Sequence, residues 1–159
     1  MQMNKRKIWI AVAVAVALGL GFILYTQAIH GPYVPADDEI ALHIQLNTEE
    51  DIGLLVFDYR ADASEHSGGM ANADKSLIGH DSMNIEVWNK QGLNSSSDTV
   101  ELWLQLRIIT EYVQPNYENT YPEELTKYIE PISWTAHFGN SYFITITGDK
   151  ISGYKAILN

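Results

Sequence analysis

The chain contains no cysteine. That excludes a disulfide framework, a thiolate nucleophile, a cysteine-ligated zinc site and a lipid-modified N-terminal cysteine. A domain built from this chain therefore stands on its hydrophobic core, without the cross-links that exported domains often use. Acidic side chains are missing from the start: none of the twenty occurs before Asp37. Basic side chains are scarce everywhere. Three of the ten form the run Lys5-Arg6-Lys7, and the next is Arg60.

The signatures of common chemistries are also missing. The five histidines, His30, His43, His66, His80 and His137, show neither H-x-x-x-H nor H-E-x-x-H spacing. There is no G-x-S-x-G elbow and no serine-x-x-lysine element with its partners. Gly68-Gly69 is too short to cradle a phosphate. The D-x-D-x-D-G order of an EF-hand is absent. No catalytic residue is assigned, and a non-catalytic role is the expectation.

What the chain does have begins with Ile8 to Tyr25, IWIAVAVAVALGLGFILY, which lacks any charged side chain. At about 1.5 Å per residue a helix of this length is about 27 Å long, close to the hydrocarbon thickness of a bilayer. The basic run precedes it and no Lys or Arg follows closely, so the N-terminus is expected in the cytoplasm and the rest outside. Residues 1–28 are read as a membrane anchor or a signal peptide. The apolar run is longer than a signal core, which favours the anchor; cleavage after Ala28, at Thr26-Gln27-Ala28, would instead give a secreted domain. The expected location is the cell membrane, single-pass, or the exterior. Residues 29–39 form a linker broken by Gly31, Pro32 and Pro35.

After residue 28 there are seven basic and twenty acidic residues, a net charge of −13 with His neutral. So acidic a domain repels phosphates, and nucleic acid is excluded as a partner. A protein or a cell-envelope glycan fits better, alongside the membrane itself through the N-terminal helix.

Residues 40–159 read as an all-β domain. Ile40, Leu42, Ile44 and Leu46 alternate with polar residues, as a half-buried strand requires. Ile52 to Arg60 reads as a central strand and Ser64 to Asp81 as a long loop. Thr99 to Val113 is the clearest strand, with Val100, Leu102, Leu104, Leu106 and Ile108 on one side and Glu101, Trp103, Gln105 and Arg107 on the other. Its length predicts a bend near Thr110. Thr120 to Ile129 reads as a short helix, with Thr120 and Glu123 spaced as a capping box and Pro131 ending it. Three more alternating stretches follow, with Gly139-Asn140 and Gly148-Asp149-Lys150 as hairpin turns. About seven strands in 120 residues suit an antiparallel β-sandwich of immunoglobulin-like architecture, with a small barrel as the other solution.

Two groups of residues invite a function. Trp103, with Glu101, Gln105 and Arg107, presents an outward aromatic among polar neighbours, which suits stacking on a sugar or anchoring a partner. Packing beneath the expected helix is the competing explanation. Asp58, Asp62, Glu65, Asp74 and Asp81 crowd the second strand and the loop after it. Carboxylates with loop carbonyls could take calcium, but a polar loop capping the sandwich edge is the competing reading, and no cofactor is expected otherwise. Three functions follow: a binding module working through the Trp103 face, a calcium-stabilised structural module, and an exported hydrolase using the loop carboxylates. His43 and His137, on polar strand faces, are expected at the surface.

Overall fold

The computed structural model describes Val16, residues 33–115 and residues 120–159. The anchor or signal helix expected over residues 1–28 lies outside the described residues except at Val16. Among the described residues no helix is long and apolar enough to cross a membrane. The chain divides into units Met1–Tyr33 and Val34–Asn159, and the second holds the strands.

Nine strands follow one another: β1 (Glu39–Thr48), β2 (Leu54–Ala61), β3 (Ser64–Met70), β4 (Met83–Asn89), β5 (Thr99–Ile109), β6 (Thr126–Tyr128), β7 (Ile132–His137), β8 (Ser141–Asp149) and β9 (Gly153–Leu158). They make two sheets. The first runs β4-β1-β8-β9. The second runs β3-β2-β5, and β6 and β7 share the far side of β5, pairing with Arg107–Ile109 and Thr99–Leu104 respectively.

The alternation of the sequence decides which side chains face inward. Ile40, Leu42, Ile44 and Leu46 of β1 meet Leu102, Leu104, Leu106 and Ile108 of β5 in one core cluster, joined by Leu55, Phe57, Ile144 and Ile146. Each of these is at most 2% exposed, so the two inner faces are dry. This is the all-β sandwich that the patterning predicts.

Several finer expectations are corrected. Among the described residues there are nine strands, not seven. The sandwich is mixed rather than antiparallel, because β1 and β8 run parallel, Ala41 opposite Ser141 through Thr48 opposite Gly148. A parallel pair needs a long crossover, and here the whole second sheet serves as one. The helix expected over Thr120–Ile129 is absent. A single 3-10 turn, Glu123–Leu125, has Pro122 at its cap position with no side-chain cap bond, and the chain then enters β6. The Thr126 hydroxyl does donate to the Pro122 carbonyl at 2.8 Å, but Thr126 is opposite Ile109 in the sheet. Pairing with the exposed edge of β5 outweighs a weak local capping signal. The long loop is shorter than expected, since Ser64–Met70 forms β3 on the edge of β2. Gly68 suits that place: a Cβ there would fall 2.4 Å from the Phe57 ring. The strand expected to Val113 ends at Ile109, next to the predicted bend. Gly139-Asn140 is no hairpin turn, because β7 and β8 belong to different sheets.

His43 is also corrected. It is 3% exposed despite lying on the outer face of the first sheet. Phe143, its partner in register, stacks on the imidazole with centroids 4.6 Å apart, and Ile85 flanks it on β4. His137 is exposed, as expected.

Candidate functional site

The outer face of the second sheet carries the site. On β2, Asp58 and Arg60 point to this face; on β5, Trp103, Gln105 and Arg107 do. The register sets the rows. Glu65, Arg60, Trp103 and Ser133 stand side by side across four strands, and Ser67, Asp58 and Gln105 form the next row.

The same face is closed at one end. Leu54, Val56 and Ile109 point outward there, yet are at most 1% exposed. Val113, Tyr121 and Leu125, from the segment joining β5 to β6, pack over them as a second small core. This segment therefore forms a wall where the expected helix was to lie. Trp103 is not among the side chains that Val113, Tyr121 and Leu125 cover. The Arg60 guanidinium lies over the indole instead, its carbon 4.9 Å from the ring centroid.

Between wall and edge runs an open groove in two adjoining parts. One, of about 670 Å³, is lined by Asp58, Tyr59, Arg60, Glu65, His66, Ser67 and Trp103. The other, of about 580 Å³, shares Asp58 and Trp103 and continues past Gln105 and Arg107 to Tyr121, Glu123 and Tyr128. Four of its polar side chains, Asp58, Ser67, Gln105 and Arg107, are held. Arg107 Nη2 lies 2.9 Å from Asp58 Oδ2, and Ser67 Oγ donates to Asp58 Oδ1 at 2.6 Å. Gln105 Nε2 donates to the Ile129 carbonyl at 2.6 Å, spanning the gap between β6 and β7. Arg107 also lies 6.0 Å from the centroid of Tyr128, a ring that is 66% exposed on the groove's lip.

Of the four residues of the Trp103 group, three line this groove: Trp103, Gln105 and Arg107. Glu101 does not; it accepts a hydrogen bond from the Thr135 hydroxyl at 2.6 Å, further along β5. Sequence reasoning missed Arg60, Tyr121 and Tyr128. Arg60 could have been found from the alternation of β2, which puts it in phase with Asp58. Tyr121 and Tyr128 carry no such signal, because their placement depends on the pairing of β6 with β5.

The five carboxylates do not form one site. Asp58 and Glu65 line the groove. Asp62 turns the β2–β3 hairpin with φ 51° and accepts from the Glu101 amide at 3.0 Å. Asp74 accepts from the Ser76 hydroxyl at 2.6 Å, which with the Ser76 amide holds its carboxyl below the usual range. The Asp81 carbonyl, rather than its carboxylate, accepts from Gln45 Nε2 at 2.9 Å. Among the described residues no three His, Asp or Glu side chains gather closely enough to hold a metal ion.

Behind the groove, Tyr59 is stacked between His66 and Trp88, with centroids 4.9 Å and 4.5 Å away. Burial pushes the Tyr59 phenol up to about 12, and the nearby Glu86 carboxyl adds to this. Burial raises Glu86 as well. Of these groups, Tyr59 and His66 line the groove.

No protein-family model and no curated protein matches this sequence. Solved structures with some similarity include pneumolysin, at 9% identity over 76% of this chain and 23% of that one, with a TM-score of 0.38. The human-specific toxin intermedilysin matches at 11% identity over 76% of this chain and 23% of that one, with a TM-score of 0.39. The membrane-binding domain of pneumolysin matches at 8% identity over 76% of this chain and 96% of that one, with a TM-score of 0.38. The chain thus spans about a quarter of the length of the whole toxins. At TM-scores below 0.5 these likenesses assign neither a fold family nor a function.

Proposed function

We propose that this protein is a membrane-anchored or exported module whose β-sandwich, residues 40–159 behind the linker 29–39, works outside the cytoplasm and binds a partner without catalysis. The binding surface is the groove over Trp103. One observation carries the reading: an aromatic side chain on an outward sheet face lies in an open groove whose polar neighbours are fixed by their own contacts. Convergent polar groups beside an aromatic platform are the usual composition of a recognition site. The immunoglobulin-like likeness enters only as a general two-sheet form, because the strand order and the parallel β1–β8 pair are this chain's own.

A photo-crosslinking amino acid at Tyr128, in the full-length chain in its own cells, tests the reading. The expected result is a discrete adduct that disappears in the Trp103→Ala variant and is not formed from Ile151, on the β8–β9 turn. An adduct indifferent to Trp103, or formed equally from Ile151, would count against the groove. Orientation has a separate test. Ser96→Cys introduces the sole thiol, which a membrane-impermeant maleimide should label in intact cells; labelling only after lysis would overturn the external location.

A hydrolytic reading keeps one supporting observation, that Asp58 and Glu65 line the same part of the groove. Both oxygens of Asp58 are engaged by Arg107 and Ser67, which suits a fixed support better than an acid or base. Glycoside or peptide hydrolysis lost in Asp58→Asn would reverse this preference.

A further inference from the structure

Resting on the reading of the groove as a binding site, we infer that its ligand is an uncharged oligosaccharide, lying across the strands with one sugar ring against the part of Trp103 that Arg60 leaves open to the groove. Three observations lead there. The groove is long. It crosses from β3 over β2 and β5 to β6, three inter-strand spacings of about 4.8 Å, or about 14 Å. That length suits an oligomer and not a single small molecule.

Charges of both signs line the groove. Arg107 is 2.9 Å from Asp58, and Arg60, whose neighbour in register is Glu65, lies over Trp103. A strongly charged ligand would meet like charge as well as opposite and would compete with the Arg107–Asp58 pair, and an anion would also meet a chain of net charge −10. An uncharged ligand has neither cost.

The chemistry of the walls matches a sugar. Pyranose rings carry apolar C–H faces and a rim of hydroxyls that both donate and accept. Indole and phenol rings at Trp103 and Tyr128 cover the faces. The Glu65 carboxylate and the Arg60 guanidinium are planar and can meet neighbouring hydroxyls in pairs, and Gln105, whose Nε2 is held by the Ile129 carbonyl, presents its Oε1 as an acceptor.

The test uses the full-length chain in detergent, titrated with cellotetraose, maltotetraose and N-acetylchitotetraose, with tetralysine and a tetragalacturonate for comparison. Saturation-transfer NMR reports which ligand protons touch the protein. At least one neutral tetrasaccharide should bind, with transfer strongest at ring C–H protons, and its affinity should be unchanged from about 0.05 to 0.5 M salt. Trp103→Ala should weaken it at least about tenfold, and Tyr128→Ala, a change at an exposed side chain, should weaken it as well. A thermal melt of each variant confirms that the fold is kept. Binding of tetralysine or the uronate alone, affinity that falls with salt, or binding unaffected by both substitutions overturns the inference. If no neutral tetrasaccharide binds while the Tyr128 adduct still depends on Trp103, the ligand class is wrong and the groove stands. If both fail, both readings fall.

Discussion

The Arg107 guanidinium reaches diagonally from β5 to β2 to meet Asp58 at 2.9 Å, since Arg107 itself stands opposite Val56 and Asp58 opposite Gln105. Arg107 is nearly buried and Asp58 about a third exposed, so the guanidinium depends on the carboxylate more than the reverse. Asp58→Ala should destabilise the domain by about 1–3 kcal/mol, because it removes the carboxylate that a nearly buried guanidinium contacts. The Asp58→Leu, Arg107→Met double variant should lose less than the two single changes together. Urea unfolding of the three variants measures this, and strict additivity would show that the pair is not coupled.

The wall of the groove is pinned at Gly53. A Cβ there would lie 1.9 Å from the Glu111 carbonyl oxygen and 2.4 Å from the Tyr112 amide. Both are backbone atoms of the segment leaving β5, and no rotamer change relieves the clash. Gly53→Ala should cost about 3 kcal/mol and displace the cover over Leu54, Val56 and Ile109. A melting midpoint within a degree of the parent would refute the close approach.

His80 and Asp51 form a pH-dependent contact, with Nδ1 2.8 Å from Oδ1 and the His80 amide donating to the same oxygen at 2.9 Å. Hydrogen bonding to His80 lowers Asp51 below 3.8, and the Asp51 carboxylate raises His80 above 6.5. The histidine's share of stability is full below 6.5 and is lost as pH rises through its folded value. The aspartate's share is present above 3.8 and is lost as pH falls through its folded value. The stability difference between the parent and His80→Ala should therefore be largest from about pH 4 to 6.5 and shrink on both sides. A difference that grows from pH 7 to 9 would contradict the pairing.

Glu50 ties the last hairpin to the chain after β1. Its Oε1 accepts from the Tyr154 hydroxyl and from the Lys150 amide, the latter at 2.8 Å. Burial, and then the Glu50 carboxylate, hold the Tyr154 phenol well above its ordinary value. Tyr154→Phe should cost about 1 kcal/mol at neutral pH. The difference should vanish as pH rises through the folded value of the phenol, because the parent then loses its proton. Equal chemical-denaturation midpoints for the two proteins at pH 7 would argue that the hydroxyl contributes nothing.

Chelator followed by millimolar calcium should leave the melting midpoint unchanged, since the loop carboxylates are engaged separately. A ligand at about a hundred times its dissociation constant would add about 2.7 kcal/mol, a rise of several degrees. A rise of that size would restore the calcium module.

The layers of this fold were legible wherever burial follows a period of two. Ile40 to Leu46 and Val100 to Ile108 alternate cleanly, and both lie in the core with the polar members outside. Trp103 stood out for the same reason, as the aromatic on the wrong side of that alternation. Legibility failed where distant pairing outweighs local signals. Thr120 to Ile129 carries helix-start chemistry, yet β5 offers an open edge and the chain takes it. Ser64 to Met70, rich in Gly and Ser, reads as loop because its strand character comes from β2 beside it. His43 was misplaced because its cover, Phe143, stands a hundred positions away in sequence and arrives only through the parallel pairing.

That pairing also sets an order of events. β1 is the first strand of the sandwich to leave a ribosome, and its partner β8 is next to last. From Ala41 to Ser141 the chain must grow by a hundred residues before the first sheet can close. Until then the row Ile40 to Leu46 has only β4 beside it and one edge open, the condition in which strands pair with the wrong neighbour. Closure over so long a separation is slow as well as late. A chain cut short before β8 would therefore lose more than its end. It would leave its first strand paired only with β4 and open along its other edge, and such fragments should accumulate as aggregates and not as smaller folded domains.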